Sequence, residues 1–468
     1  MENRAALEKR AARLRSLAGA SVIGLALALP QPAVAQTLME ALVSAYETNP
    51  TLLAERADLR ATDENVPQAK AGWRPTVTVE GTYGIQDTNS KTTNNGFINR
   101  TDSSTEPYTV QGQVIQPLYR GGRTMAQTRQ ARALVGQGQA NLLTVEQNVL
   151  LDAVTAYFDV IREKAVLDLR LNNVEVLRRQ LRAAQDRFRV GEITRTDVAQ
   201  AEARLSGARA EVTSAEAFLT RSREDYARVI GVVPEDLETA PPLPILPESE
   251  EGALAIAVDI NPLLLTARQR ERASFQAIRV VRGELLPTVS LNGTLSQSED
   301  NNSDSSQNNQ ASLLGSVSVP LYQSGDVYSR VRQAKQTNSG DRLQISEAQR
   351  QVEADVANAW ESLRAARAVI VSTSEQVRAN TIAFEGVQQE ARVGSRTTLD
   401  VLDAEQELLD AKVSLVEAQR DEYVAAYSLL AAIGGLTAEG IGLSTAVYDP
   451  TENFERVRNK FIGTGIGE

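Results

Sequence analysis

The chain has 468 residues, a formal net charge of −11, 42% hydrophobic and only 4% aromatic residues, and neither cysteine nor histidine. Without cysteine there can be no disulfide, thiolate metal site or lipid-modified N-terminal cysteine, and without histidine the usual general base and commonest metal ligand are missing. No enzyme activity, cofactor or metal site is therefore expected, and so acidic a body does not suit nucleic acid.

Residues 1–35 carry the three parts of a secretory signal. Arg4, Lys9, Arg10, Arg13 and Arg15 form a basic start, Leu17 to Leu29 an apolar run, and Ala33-Val34-Ala35 a small-residue cleavage site. The mature chain is expected to begin near Gln36, at a net charge of −14 once five basic and two acidic residues are removed. Beyond this segment no apolar run reaches the roughly 20 residues a spanning helix needs, so a membrane role would require β-strands.

The rest is written twice, and such duplication organises everything else. Pro117-Leu118-Tyr119 recurs as Pro320-Leu321-Tyr322, Arg189-Val190-Gly191 as Arg392-Val393-Gly394, and Ile230-Gly231 as Ile433-Gly434, all at an offset of 203. Earlier, Asn49-Pro50 matches Asn261-Pro262 and Pro75-Thr76-Val77 matches Pro287-Thr288-Val289, at an offset of 212. The nine-residue difference falls in one polar loop. The expected organisation is a first repeat at 36–231, a proline-rich linker at 232–249, a second repeat at 250–434 and a C-terminal segment at 435–468.

Each repeat is expected to open with a helical stretch, Leu38 to Gly72 and Gly252 to Glu284. Two alternating strands around a polar loop follow. In Thr76 to Ile85, Val77, Val79, Tyr83 and Ile85 share one face and Thr76, Thr78, Glu80 and Thr82 the other; Val110 and Val114 stand opposite Thr109, Gln111 and Gln113 in the partner strand. The second copy repeats this with Val289, Leu291 and Leu295, then Leu313, Val317 and Val319. The loops Asp87 to Glu106 and Gln297 to Gln310 are polar apart from Phe97 and Ile98, and Trp73, Tyr119 and Tyr322 sit at strand bases, where an interfacial aromatic belt lies.

A very long helix comes next in each copy. Leu142, Val145, Val149, Ala153, Ala156 and Val160 form a stripe spaced by threes and fours, matched 203 residues later by Ile345, Ala348, Val352, Val356, Ala359 and Leu363. Arg123 to Val190 holds no proline and would extend about 100 Å at 1.5 Å per residue. Gly191 and Gly394 break the pattern, and a second helix returns, giving two long antiparallel hairpins. The turns Arg189, Val190, Gly191 and Arg392, Val393, Gly394 are the only breaks far from the strands, which makes them the expected docking surface for a partner at that end.

Four strands cannot close a barrel, since even small filled barrels need about eight. The subunit is expected to assemble: two copies give a plugged barrel, three a twelve-stranded one with an open lumen. The fold class is thus an α+β membrane protein, a barrel closed by assembly and continued by long α-helices.

With these features assembled, the chain resembles the TolC family of outer-membrane efflux and secretion ducts across nearly all its mature length. The match is strongest from Arg392 to Ala404, which is similar to the family's second periplasmic turn; Arg189 to Val198 resembles the first. The resemblance implies a homotrimer in the outer membrane of a Gram-negative bacterium, surrounded by outer-membrane lipid, its trimeric barrel continued by an α-helical periplasmic tunnel. It also implies that the partner docking at the turns is a periplasmic adaptor (a membrane fusion protein), with an inner-membrane ABC or proton-driven transporter as a further partner. The absent cysteine points away from the lipid-anchored branch and toward type I protein secretion, with multidrug efflux as the alternative. In the family, two aspartates matching Asp400 and Asp403 ring the pore, while an arginine matching Arg396 and a Thr-Asp pair matching Thr196 and Asp197 tie adjacent hairpins together. One departure is Ala391, where the best-known member has a gate tyrosine.

From the residues alone, Asp400 is equally a helix cap, because Thr397-x-x-Asp400 and Thr194-x-x-Asp197 have capping-box spacing. Asp403 is different: its counterpart is Gln200, and a carboxylate three residues after Asp400 adds like-charge repulsion, for which a pore ring gives a reason and local structure does not. Two other readings compete, a trimeric coiled-coil surface adhesin and a barrel hydrolase. The adhesin is disfavoured because the strand pairs sit inside two repeats, the hydrolase because histidine and cysteine are missing.

Overall fold

The computed structural model describes residues 35–239, 241–300 and 306–466, so the expected signal segment lies outside the described residues apart from Ala35. From Gln36 onward the chain is tied down. Gln36 N donates to Asp236 O at 2.7 Å, its carbonyl accepts from the Tyr157 hydroxyl at 2.9 Å, and its side chain accepts from the Tyr226 hydroxyl at 2.8 Å.

Three helices, α1 (Leu38–Thr48), α2 (Pro50–Asp63) and α3 (Asn65–Ala71), replace the single stretch expected from Leu38 to Gly72. The first break has a local cause. Asn49 caps α2 by accepting from Thr51 N at 2.9 Å, and Pro50 occupies the first helical position, where its missing N–H costs nothing.

Strand β1 (Thr76–Tyr83) is followed by β2 (Gln86–Asn94), β3 (Phe97–Thr105) and β4 (Tyr108–Arg120). The stretch from Asp87 to Glu106, expected as a loop, is therefore the antiparallel hairpin β2–β3. Its polar flanks have no hydrophobic period. The turn made it: Asn95 and Gly96 hold φ of +47° and +85°, the left-handed geometry that an Asn-Gly hairpin turn requires.

The second copy supplies β5 (Thr288–Glu299) and β6 (Gln307–Ser318), which also extend further into their connection than the polar composition suggested. The four main strands form one antiparallel sheet in the order β1-β4-β5-β6, and among the described residues the outer edges of β1 and β6 are unpaired. The register places Val77 opposite Val114, Gly112 opposite Leu295, Gly293 opposite Leu313 and Val289 opposite Val317. Side chains alternate across a strand, so these residues make one continuous apolar face, and Thr78, Gln113, Thr294 and Ser312 lie on the other. Val77, Val79, Tyr83, Leu295, Leu313 and Val317 are each about two-thirds exposed or more, so nothing among the described residues covers that face.

From the sheet run α4 (Arg123–Arg189) and later α8 (Asp326–Arg392), each of 67 residues. Gly121 and Gly122 make the first strand-to-helix turn at φ of +63° and +72°. A Cβ on Gly121 would stand 2.1 Å from the Gly283 carbonyl oxygen, so no other residue fits there. Helices α5 (Arg195–Ile230) and α9 (Thr398–Ala432) return along α4 and α8. At the start of the second repeat, α6 (Glu250–Ile260) and α7 (Pro262–Arg282) restate the opening helices, and α7 packs against both α4 and α8. A short α10 (Glu452–Val457) is the last helix among the described residues. Among the described residues no helix is long and apolar enough to cross a membrane.

The main core is a belt at mid-height, where α1, the linker and the C-terminal segment wrap the hairpins. Leu142, Val149, Ala153, Ala156 and Val160 of the first stripe are buried there, as are Val352, Val356 and Leu363 of the second. Phe158 stacks on Tyr423 with ring centroids 4.2 Å apart. Two buried polar contacts fix the wrapping segment: Ala438 N donates to Glu146 at 2.6 Å, and Asn453 donates to Asp63 at 2.7 Å. Away from the belt, Leu343, Val371 and Ile382 of α8 stay exposed.

Candidate functional site: the two hairpin turns and the seam between them

Both far turns close by one scheme. In the first, Gly191 N donates to Phe188 O and Glu192 N to Arg187 O, each at 3.0 Å; in the second, Gly394 N donates to Ala391 O at 3.3 Å and Ser395 N to Glu390 O at 3.0 Å. This paired closure of the last helical carbonyls needs a left-handed residue, and Gly191 and Gly394 supply it at φ of +78° and +80°. Val190 and Val393 protrude just before, about four-fifths exposed each. Arg189 pairs with Asp186 one turn back, and Arg392 donates to Gln388 at 3.3 Å.

The returning helices start on matching capping boxes. Asp197 accepts from Thr194 N and its hydroxyl, both at 2.8 Å, and Asp400 accepts from Thr397 N and its hydroxyl, both at 2.9 Å. These Thr397 donors hold the Asp400 carboxyl below its ordinary value, with a smaller contribution from Arg396. Arg396 donates to Glu390 at 2.9 Å in its own hairpin, which raises its affinity for the proton. Thr196 is exposed at the start of α5. Within one chain, then, Arg396 and Asp197 are each engaged inside their own turn.

Asp403 reaches across. It accepts from Arg204 of the first hairpin at 2.6 Å, the polar link between the two turns. Sequence reading found no local reason for this carboxylate, and Arg204 is one. A signal was present: the counterparts of Gln200 and Arg204 in the second copy are Asp403 and Glu407, so the copies differ in charge at two positions four residues apart, one of each pair.

Beside that pair Leu402, only 2% exposed, inserts among Val174, Leu177, Ala201, Leu205 and Ala208 of the first hairpin. One turn on, Glu405 is also buried. Sequence reading missed it, because its counterpart Glu202 and most glutamates on these helices are solvated. Ala391 is buried on the second hairpin and lines a cleft of about 460 Å³ against Arg179, Ala183 and Arg187.

Among the described residues there is no group of acidic side chains placed to hold a metal ion. Near the turns the two hairpins are joined by the Arg204–Asp403 ion pair and the Leu402 insertion, and further along by Arg420 of α9 on Asp159 of α4 at 2.9 Å and by the shared core.

Comparison with known proteins agrees with this architecture. The sequence profile described as "Outer membrane efflux protein" matches residues 41–232 and 254–435, one segment per repeat. "Outer membrane efflux protein BepC" of Brucella suis biovar 1 (strain 1330) is 37% identical over 434 residues, covering 92% of this chain and 93% of that protein. "Outer membrane protein TolC" of Escherichia coli (strain K12) is 26% identical over 437 residues, covering 89% and 86%. Among solved structures, the outer-membrane channel OprN superposes with a TM-score of 0.73 at 24% identity, covering 85% of this chain and 90% of that one.

Proposed function

Because the chain belongs to the outer membrane efflux protein family, placed in the Gram-negative outer membrane with its helices in the periplasm, we propose that it is the exit duct of a tripartite export machine. The observation that carries this reading is the sheet: four strands with one apolar face and two unpaired edges, continuing directly into 67-residue helices. Unpaired edges and an uncovered apolar face are both satisfied if three copies close a twelve-stranded barrel in lipid, β6 of one meeting β1 of the next. The exposed apolar residues of α8 then meet neighbouring helices in a tunnel.

In this assembly the turns Arg189 to Gly191 and Arg392 to Gly394 receive the periplasmic adaptor, with Val190 and Val393 as its apolar footholds, and an inner-membrane transporter supplies the driving force. Asp400 and Asp403 from three chains place six carboxylates around the narrow end, a ring that favours cations. Arg396 and the Thr196-Asp197 pair face neighbouring chains, and the gate differs from the tyrosine-bearing one because Ala391 has no hydroxyl.

The route we favour is type I protein secretion, on the missing lipid-anchor cysteine. Small-molecule efflux is the second reading, favoured by the name of the 37% identical relative. Purified protein in detergent should have the mass of a trimer and should conduct in planar bilayers; a monomer with full β-content and no conductance overturns the duct. Deleting the gene then separates the routes: secretion predicts a protein missing from the medium, and efflux predicts heightened sensitivity to dyes and detergents.

A further inference from the structure

We propose that Glu405 is a proton-binding site in the seam between the two hairpins, so that protonation locks the seam and deprotonation loosens it. This rests on the duct reading for its consequence, but the site stands on its own geometry.

Glu405 sits on α9 one turn after Leu402, on the side that presses into the first hairpin. It is only 7% exposed, and its Oε2 has no hydrogen-bond partner. It lines a cavity of about 130 Å³ with Asn173 and Leu177 of α4, Ala203, Arg204, Gly207, Ala208 and Glu211 of α5, and Leu402 and Gln406 of α9. The charges facing it are Arg179 on α4, Arg204 and Glu211 on α5, and Lys412 on its own helix. Two of these are already committed: Arg204 to Asp403 at 2.6 Å, and Glu211 to Arg170 at 2.9 Å. Arg179 and Lys412 act only through space, with no ion pair to Glu405.

A buried carboxylate with an unsatisfied oxygen costs free energy as an anion and much less as an acid. Burial accordingly pushes the Glu405 carboxyl up to about 7, against the weaker pull of Arg179 and Lys412. If the hairpins part, water reaches the group and its ordinary value of 4.5 returns. The packed seam is thus the state that binds the proton. Its advantage is full below 4.5 and is lost as pH rises through 7. Between about pH 5.5 and about pH 8.5 this linkage changes the ratio of packed to parted seam by about 30-fold per chain. The position suits control, because Leu402 and the Arg204–Asp403 pair hold the same seam one turn nearer the tip.

The test uses the full-length protein in two measurements. Infrared difference spectra between about pH 5.5 and pH 8.5 should show a protonated carboxyl band titrating near 7, absent in Glu405→Gln and retained in Glu405→Asp. In planar bilayers, open probability should rise with pH through the same midpoint in the parent. It should stay low at all pH in Glu405→Gln, whose amide mimics the protonated acid. A band or gating step that persists unchanged in Glu405→Gln overturns the proposal, as does a parent with neither between these limits. If the protein fails to conduct at any pH, the duct reading fails and the infrared titration alone decides the site.

Discussion

Arg204 and Asp403, on different hairpins and 199 residues apart in sequence, meet at 2.6 Å. Both side chains are about half exposed, at 42% and 52%, so the pair contributes at most about 1 kcal/mol to stability. In the proposed duct its larger effect is electrostatic: with Asp403 facing the lumen, the guanidinium offsets part of the carboxylate's field there. Arg204→Ala should therefore strengthen cation preference and Asp403→Ala should weaken it, read as opposite shifts of reversal potential under a salt gradient. Shifts of the same sign would show that Asp403 does not face the ion path.

The capping boxes make a prediction of a different kind. Removing a threonine cap costs about 1 kcal/mol, so Thr397→Ala should speed amide exchange over residues 398 to 401 while leaving conductance selectivity nearly unchanged. Asp400 adds a pH dependence with a definite sign. Its carboxyl is held below its ordinary 3.8, so its contribution is present above that value and is lost as pH falls through the lower folded one. Exchange of these amides, corrected for intrinsic rate, should be constant from about pH 5 upward and accelerate only in stronger acid.

At the turns, the space around Gly191 and Gly394 is open, so a larger side chain meets only backbone strain at φ near +80°. That strain is about 1–2 kcal/mol per residue, too little to unfold hairpins of this length. Gly191→Val with Gly394→Val should abolish export in cells while the protein still reaches the membrane and assembles. Export at the parent's rate would remove the turns from the docking surface.

Asn261 does two jobs at once. It caps α7 by accepting from Leu263 N at 2.9 Å, and its amide donates to Ala432 O at the end of α9 at 2.8 Å. Asn49 repeats this on Thr51 N and Val229 O. Asn261→Ala leaves a helix end uncapped and a part-buried carbonyl unpaired, an expected loss of roughly 2 kcal/mol. Unfolding in denaturant should show it as a lowered midpoint, and Asn49→Ala should match it.

The long helices and the one-sided strands were legible because each carries a period or a breaker: 3.6 along Leu142 to Val160, 2 along Thr76 to Tyr83, and Pro or Gly at the ends; the breaks at Asn49 and Glu64 within the opening stretch were not read. Hairpin β2–β3 was not, since a strand signal rests on hydrophobic alternation and its flanks are polar on both faces; only Asn95-Gly96 announced it. The turn residues could be named from their spacing. Arg204 was marked only by the change of charge between the copies, and Glu405 not at all, because what sets them apart is which helix lies alongside, a fact of packing between repeats that no single helix encodes.

The two long helices are equal at 67 residues, although the segments before them differ by nine. All of that difference is taken up in the β1–β4 connection, where β2–β3 stands, at the end of the sheet away from the helices. Length is thus free to change at the outer rim and fixed at the inner one. Deleting four residues from α4 alone would raise its turn by about 6 Å against the other and rotate its apolar stripe by about 40°. A partner that must seat on both turns together would meet an uneven floor, so the two helices are under a shared constraint of height that neither has by itself.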